Sequence, residues 1–192
     1  MRVLVVYAHP NPNSFNHAVL ESFIKGLEHG GNAFEVTDLY ATKFNPSLGP
    51  EDFARFTGEQ MPQDVLDQQA KVARADGLAF IFPIWWLSCP AILKGWIDRV
   101  FSPGFAYKYT EKGMEGLLKH KKALLISTTG GPEQKYKASG RGDNIKKLFQ
   151  DILECDCGIA NVEHVFLYAL DLVDDKTRKK YLEQAYHLGK EF

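Results

Sequence analysis

The chain has 192 residues, of which 45% are hydrophobic and 24% charged, and its formal net charge at pH 7 is −1. This length suits one domain, residues 1–192, which buries enough surface to need no metal or disulfide. The near-neutral charge does not suggest a nucleic-acid partner or an anionic membrane. The apolar run at residues 3–8 is too short for a signal peptide or a membrane span. We therefore expect a cytoplasmic protein without membrane insertion.

The first half of the chain alternates short apolar runs with segments whose apolar residues recur at helical spacing. In chain order we predict a strand at residues 3–8, a helix at about 14–29 capped by Asn13 or Ser14, a short strand at 33–36, a helix at 63–74 and a strand at 77–82. Residues 39–62 are rich in proline and carry Phe44, Phe53 and Phe56. A loop of this length inside a compact domain is usually functional.

The second half continues this alternation. A helix begins at Pro90 and carries Trp96, Val100 and Phe101, which is more bulk than one face of a sheet needs. Residues 102–119 contain prolines, glycines and aromatic residues, and predict an excursion from the domain. The remaining predicted elements are a strand at 123–128, a helix with Ile145, Leu148, Phe149, Ile152 and Leu153 on its apolar face, a strand at 162–167 and a helix from Asp174 or Asp175 to about Lys190.

Five strands alternating with helices indicate an α/β fold with a parallel sheet covered by helices on both faces. We predict the doubly wound, flavodoxin-like strand order 2-1-3-4-5. Ligands bind such a sheet outside the carboxyl ends of its strands. The loops to consider are therefore residues 9–16, 83–87 and 128–131.

The first of these loops opens a helix, and the free N–H groups and dipole of a helix start favour a phosphate. Asn13, Ser14 and Asn16 add neutral donors, and His9 adds a donor or a positive charge. The loop has neither the glycine fingerprint of dinucleotide-binding folds nor a phosphate-loop lysine. A plain capped helix start is the alternative.

The other two loops suggest a flat ring beside the phosphate. Trp85 and Trp86 follow a buried strand directly and could stack on a conjugated ring, or else fill the core. The glycines of the TTGG sequence at residues 128–131 let backbone N–H groups approach a ligand, although an ordinary turn is an equal alternative. The three loops together predict a flavin site.

Several motifs resemble those of NAD(P)H:quinone oxidoreductases of the DT-diaphorase type. They are AHP at residues 8–10, SFN at 14–16, FPIWW at 82–86, PAILKGWIDRVF at 90–101, FAYKY at 105–109 and TTGG at 128–131. The similarity runs to about Asp143. Beyond that residue only the helix–strand–helix plan is shared.

The resemblance implies a role for each matching residue. The flavin phosphate portion would be held by His9, Asn13, Ser14, Phe15 and Asn16, and the isoalloxazine by Pro83, Ile84, Trp85, Trp86, Leu87, Thr128, Thr129, Gly130 and Gly131. Tyr107 and Tyr109 would wall the substrate pocket with Trp86, usually across the interface of a homodimer. The family's active-site tyrosine corresponds to Tyr136, which would also contact the flavin.

The implied activity is two-electron reduction of quinones, or similar aromatic acceptors, by NAD(P)H. The resemblance implies ping-pong hydride transfer through flavin N5, with FAD as the cofactor and FMN as the alternative. Tyr136, Gly130 and Gly131 would stabilise the charge that develops on the flavin. Arg141 stands where the family has a histidine, so the usual tyrosine–histidine relay is altered and Arg141 becomes a candidate catalytic residue.

Other functions stay open at this point. The same flavoprotein could reduce nitro or azo compounds, or could be a flavin-binding regulatory subunit of a potassium efflux system. A one-electron carrier is disfavoured because such carriers are strongly acidic. Lys135, Lys137 and Arg141 flank the third loop and could attract the phosphates of NAD(P)H.

Overall fold

The computed structural model describes residues 1–54 and 59–192, so Phe56 of the predicted long loop lies outside the described residues. The strands are β1 Arg2–Tyr7, β2 Ala33–Asp38, β3 Gly77–Pro83, β4 Tyr107–Thr110, β5 Gly113–Gly116, β6 Lys122–Thr128 and β7 Val162–Leu167. The helices are α1 Phe15–His29, α2 Gln63–Arg74, α3 Ala91–Val100, α4 Glu133–Ala138, α5 Arg141–Gln150 and α6 Asp175–Lys190. A 3₁₀ turn spans Pro50–Phe53, and α5 runs into a π-helical turn at Asp151–Asp156.

Five of these strands form one parallel sheet in the order β2-β1-β3-β6-β7. When the antiparallel pair β4–β5 is left out of the numbering, this is the order 2-1-3-4-5, so the predicted fold is confirmed. In the register of the sheet, Val5 of β1 lies between Val36 of β2 and Ala79 of β3. The β4–β5 hairpin lies within the region predicted as an excursion.

The apolar runs are explained by a sheet that is buried on both faces. On one face, Val3, Val5 and Tyr7 pack with the core that includes α1 and α6. On the other, Leu4 and Val6 pack with the core that includes α2, α3 and α5. Among the described residues, no helix is both long enough and apolar enough to cross a membrane.

Some details of the sequence interpretation were wrong. Trp96, Val100 and Phe101 are all buried in the core of their own domain, so the helix that carries them has no apolar excess. Leu148 is 45% exposed, because Ile145 and Phe149, four residues apart, already occupy the core-facing side of α5. The sequence also gave no sign of the short helix α4.

His164 is a buried histidine on β7. Its Nε2 atom lies 2.7 Å from the Ser127 hydroxyl, and its ring centroid lies 4.4 Å from that of Phe166. Burial lowers the pKa of His164 to about 3, from an ordinary value of about 6.5. The folded protein therefore keeps this side chain neutral at pH values where the unfolded chain protonates it.

His164 should make the protein less stable in mild acid. Between about pH 6.5 and pH 3 only the unfolded state binds this proton. As the pH is lowered through this range, His164 therefore reduces the free energy of unfolding by up to about 1.4 kcal/mol per pH unit. His164→Gln cannot titrate, so the free energy of unfolding, measured with urea, should change less with pH in this variant than in the wild type. His187→Gln, at an exposed position, is the control and should show the same pH dependence as the wild type. Equal slopes in all three proteins would contradict this account.

Candidate functional site

A cavity of about 420 Å³ opens at the carboxyl ends of β1, β3 and β6 and beside the loop after β7. The residues that line it are His9, Ser14, Phe15, Asn16, Pro83, Ile84, Trp85, Thr128, Thr129, Gly130, Leu170, Asp171 and Arg178. A groove of about 470 Å³ runs along the edge strand β7, where Glu163 and Phe166 line it. We place the candidate site in the first cavity, because ligands of doubly wound sheets bind at the strand ends.

The loop after β1 supplies hydrogen-bond donors. Ser14 caps α1, since its side-chain oxygen accepts a hydrogen bond from the His17 N–H at 3.2 Å. Nδ1 of His9 lies 3.1 Å from the Asn11 nitrogen and 3.2 Å from the Asn11 carbonyl oxygen, so it accepts from the one or donates to the other according to its tautomer. Burial lowers the pKa of His9 and so favours the neutral ring. Asn13 is exposed and is not among the lining residues.

The loop after β3 separates the two tryptophans. Trp85 and Ser88 exchange backbone hydrogen bonds of 2.9 and 3.1 Å around a tight turn. Trp86 and Leu87 occupy its two central positions with φ of 49° and 64°, the left-handed pattern of a primed turn. Trp85 lines the cavity with its ring centroid 5.9 Å from that of His9. Trp86 is fully exposed and, like Leu87, is not among the lining residues, so neither indole fills the core.

Thr128 and Thr129 join the loops around the cavity. The Asn16 side-chain amide donates to Oγ1 of Thr128 at 2.8 Å, and the Ile84 N–H donates to the Thr128 carbonyl at 2.8 Å. Thr129 donates its N–H to the Leu167 carbonyl and accepts from the Leu170 N–H, both at 3.0 Å. The two threonines thus connect all four strand ends.

Leu170, Asp171 and Arg178 line the cavity but escaped the sequence analysis. Nη2 of Arg178 donates to the Leu170 carbonyl at 2.8 Å, which places a guanidinium at the wall. The segment between β7 and α6 carries no glycine-rich or paired-aromatic motif that would single it out. The signal for this loop is its topology, because it follows the fifth strand of the sheet at the same edge as the other three loops.

Tyr136 lies on α4, 8% exposed, beside the TTGG loop. A Cβ atom on Gly131 would lie 3.1 Å from its ring, so the absence of a side chain there lets the two approach closely. The Tyr136 ring also packs against Tyr168, with centroids 5.6 Å apart. Gly130 lines the cavity, whereas Gly131, Tyr136 and Tyr168 are not among its lining residues.

The remaining predicted residues lie elsewhere. Arg141 begins α5 and is exposed, as is Lys135, while Lys137 pairs with Glu133 at 2.7 Å. Tyr109 is 67% exposed on the β4–β5 hairpin. Its neighbour Tyr107 is half-buried and lines a different cavity of about 290 Å³, and burial raises its pKa to about 12. The described residues of this chain therefore do not bring the two tyrosines to the 420 Å³ cavity.

Comparison with known proteins gives the family. The model of the family described as "Flavodoxin-like fold" matches residues 1–188, so the chain belongs to that family. It is 38% identical over 188 residues to an uncharacterized NAD(P)H oxidoreductase of Haemophilus influenzae, a match that covers 96% of this chain and 92% of that protein.

Two further comparisons have more specific names. The chain is 38% identical over 156 residues to NAD(P)H dehydrogenase [quinone] 1 of Cavia porcellus, covering 72% of this chain but only 57% of that longer protein. The solved structure of an NAD(P)H:quinone oxidoreductase from Methanothermobacter marburgensis superposes with a TM-score of 0.91 at 35% identity, covering 99% of this chain and 98% of the other.

Proposed function

We propose that this member of the flavodoxin-like fold family is a flavin-dependent oxidoreductase that reduces quinones with NAD(P)H. The observation that carries the proposal is the cavity at the four strand ends, in a chain similar over almost its whole length to a named NAD(P)H:quinone oxidoreductase. The relatives carry related names, NAD(P)H oxidoreductase and NAD(P)H dehydrogenase [quinone].

The residues of the cavity fit a flavin. Ser14 at the start of α1, with the Arg178 guanidinium, suits a phosphate group. The Trp85 side chain suits one face of a flat ring. The buried side-chain oxygen of Asn16 has no hydrogen-bond partner, as expected where a ligand supplies one.

Bound flavin would supply the redox chemistry, accepting a hydride from NAD(P)H and passing it to the quinone. The protein supplies position and an electrostatic field. We assign the N–H groups of Gly130 and Gly131 and the Tyr136 hydroxyl to stabilising the negative charge that reduction creates. Arg141 and Lys135, exposed beside this loop, attract the phosphates of NAD(P)H. If NAD(P)H and the quinone bind at the same place, the nicotinamide has to leave before the quinone binds, and the kinetics are ping-pong.

The purified protein should be yellow and should carry about one flavin per chain. We favour FAD over FMN, because the SFN loop at residues 14–16 resembles that of the FAD-binding branch. The test is the visible spectrum, with the released flavin identified by mass, followed by bleaching with NAD(P)H and recovery with a quinone. Trp85→Ala should bind flavin more weakly, whereas Leu172→Ala, an exposed residue outside the cavity lining, should not. A colourless protein that takes up neither flavin would contradict the proposal.

Tyr136→Phe should slow reduction of the flavin by NAD(P)H while leaving the flavin bound. Loss of one such donor typically slows a reaction about 100- to 1000-fold. We expect a smaller loss here, because the backbone N–H groups of Gly130 and Gly131 share the task. Tyr168→Phe, which removes a hydroxyl from the neighbouring ring, is the matched control and should react at the wild-type rate in stopped flow. A Tyr136→Phe rate equal to that of the control would remove Tyr136 from the mechanism.

We also propose that the active unit is a homodimer. Four apolar side chains are exposed on the turn after β3 and on the β4–β5 hairpin: Trp86 at 101%, Tyr109 at 67%, Leu87 at 47% and Met114 at 43%. Large apolar side chains left exposed on a turn and a hairpin are candidates for an interaction surface. If Tyr109 of a partner subunit reached the turn that carries Trp86, beside the 420 Å³ cavity, it would complete the quinone pocket. Twofold symmetry would make two such pockets.

Mixing two defective variants tests the shared pocket. Trp86→Ala and Tyr109→Ala should each lose quinone reduction, because each damages both pockets of its own dimer. A mixed dimer keeps one intact pocket, so activity should return on mixing and subunit exchange. Light scattering at the assay concentration should give the mass of a dimer. A fully active monomer, or no recovery despite proven exchange, would contradict the shared pocket.

A further inference from the structure

We propose that the carboxylate of Asp171 lowers the reduction potential of the flavin, because it disfavours the negative charge that the ring gains on reduction. This assignment rests on the proposed flavin function and deepens it. It concerns the electron transfer and not the binding of the cofactor. Neither the motifs of the sequence nor the family resemblance gives Asp171 a role.

Asp171 lines the 420 Å³ cavity and belongs to the segment between β7 and α6. A Cβ atom on Gly130 would lie 3.2 Å from Oδ2 of Asp171, so the carboxylate closely approaches the backbone of the TTGG loop. Gly130 also lines the cavity, and we expect the flavin ring against this loop. The carboxylate therefore lies at the ring end of the site.

Backbone hydrogen bonds hold the segment that carries Asp171 against the TTGG loop. The Ala169 N–H donates to the Gly131 carbonyl at 3.1 Å. The Leu170 N–H donates to the Thr129 carbonyl at 3.0 Å. Because both residues immediately before Asp171 are bonded to this loop, the fold itself places the carboxylate beside it.

The charge of Asp171 is not neutralised by a neighbour. An exposed aspartate is negatively charged near pH 7, and within the described parts of the chain this carboxylate forms no hydrogen bond or ion pair. Arg178, the cation in the same cavity wall, donates instead to the carbonyls of Leu170 and Val173, at 2.8 and 3.4 Å. A flavin in the cavity would displace water that now screens the carboxylate, so the charge would act more strongly on the ring.

Reduction changes the charge of the flavin ring. A hydride brings two electrons and one proton, so the neutral ring becomes an anion unless it takes up a second proton. A nearby carboxylate repels this anion and has little effect on the neutral oxidised ring. Asp171 therefore weakens the binding of the reduced form relative to the oxidised form, which by linkage lowers the reduction potential. A lower potential makes the reduced flavin a stronger hydride donor to the quinone.

The test measures the midpoint potential of the flavin bound to the full chain, by equilibration with a dye of known potential. The flavin-free chain is reconstituted with FAD and, in parallel, with FMN. The variants are Asp171→Asn, which removes the charge at similar size, and Asp171→Glu, which keeps it. The control is Asp175→Asn, the same exchange at an exposed residue of α6 that is not among the lining residues.

We expect Asp171→Asn to raise the equilibrium constant for reduction about 3- to 10-fold, which for a two-electron couple is about 15 to 30 mV in potential. Its affinity for the oxidised flavin should change little. Asp171→Glu and Asp175→Asn should keep potentials close to that of the wild type. The difference between Asp171→Asn and the wild type should shrink at high salt, because ions screen an exposed charge.

Other outcomes would overturn the assignment. An unchanged potential in Asp171→Asn would show that the carboxylate does not act on the ring, and a lower potential would show that it stabilises the reduced form. Equal losses of affinity for oxidised and reduced flavin would make Asp171 a binding contact only. An equal shift in Asp175→Asn would trace the effect to the overall charge of the chain. If the wild-type chain retained neither FAD nor FMN, the proposed flavin function itself would fail.

Discussion

The site depends on one set of hydrogen bonds, those of Thr128 and Thr129 at the end of β6. Strand ends in a parallel sheet lie side by side, but the loops that leave them diverge toward different helices. Here the Thr128 side chain and carbonyl bind Asn16 and Ile84, and the Thr129 backbone binds Leu167 and Leu170. Because β6 lies between β3 and β7, these two residues can reach the loops on either side. These hydrogen bonds hold the four loops together around the cavity.

Two of the loops at the strand ends contain strained residues next to residues that line the cavity, Trp85 and Leu170. Trp86, Leu87 and Ala169 have φ of 49°, 64° and 57°, in the left-handed region that side chains other than glycine seldom adopt. Such conformations cost of order 1–2 kcal/mol each. Backbone hydrogen bonds hold them in place, since Trp85 pairs with Ser88 and the Ala169 N–H donates to the Gly131 carbonyl at 3.1 Å. Strain of this kind often occurs at functional sites, and here it directs Trp86 away from its own domain.

The sequence predicted the sheet well, because strands buried on both faces leave continuous apolar runs such as residues 77–82. It also indicated which loops to consider, because ligand position follows from the topology. It could not tell Trp85 from Trp86, since the choice depends on a turn with left-handed residues that have no glycine signature. Nor could it find Arg178, whose place at the cavity wall depends on the packing of α6 against the loop after β7. The single unpaired atom of Asn16 becomes visible only with side-chain coordinates.

The most direct test of the account is a crystal structure of the protein with its flavin bound. The account predicts the flavin ring against Trp85 and the Gly130 backbone, with the first phosphate at the start of α1 near Ser14, all within the 420 Å³ cavity. A flavin bound instead in the groove along β7, against Glu163 and Phe166, would contradict it.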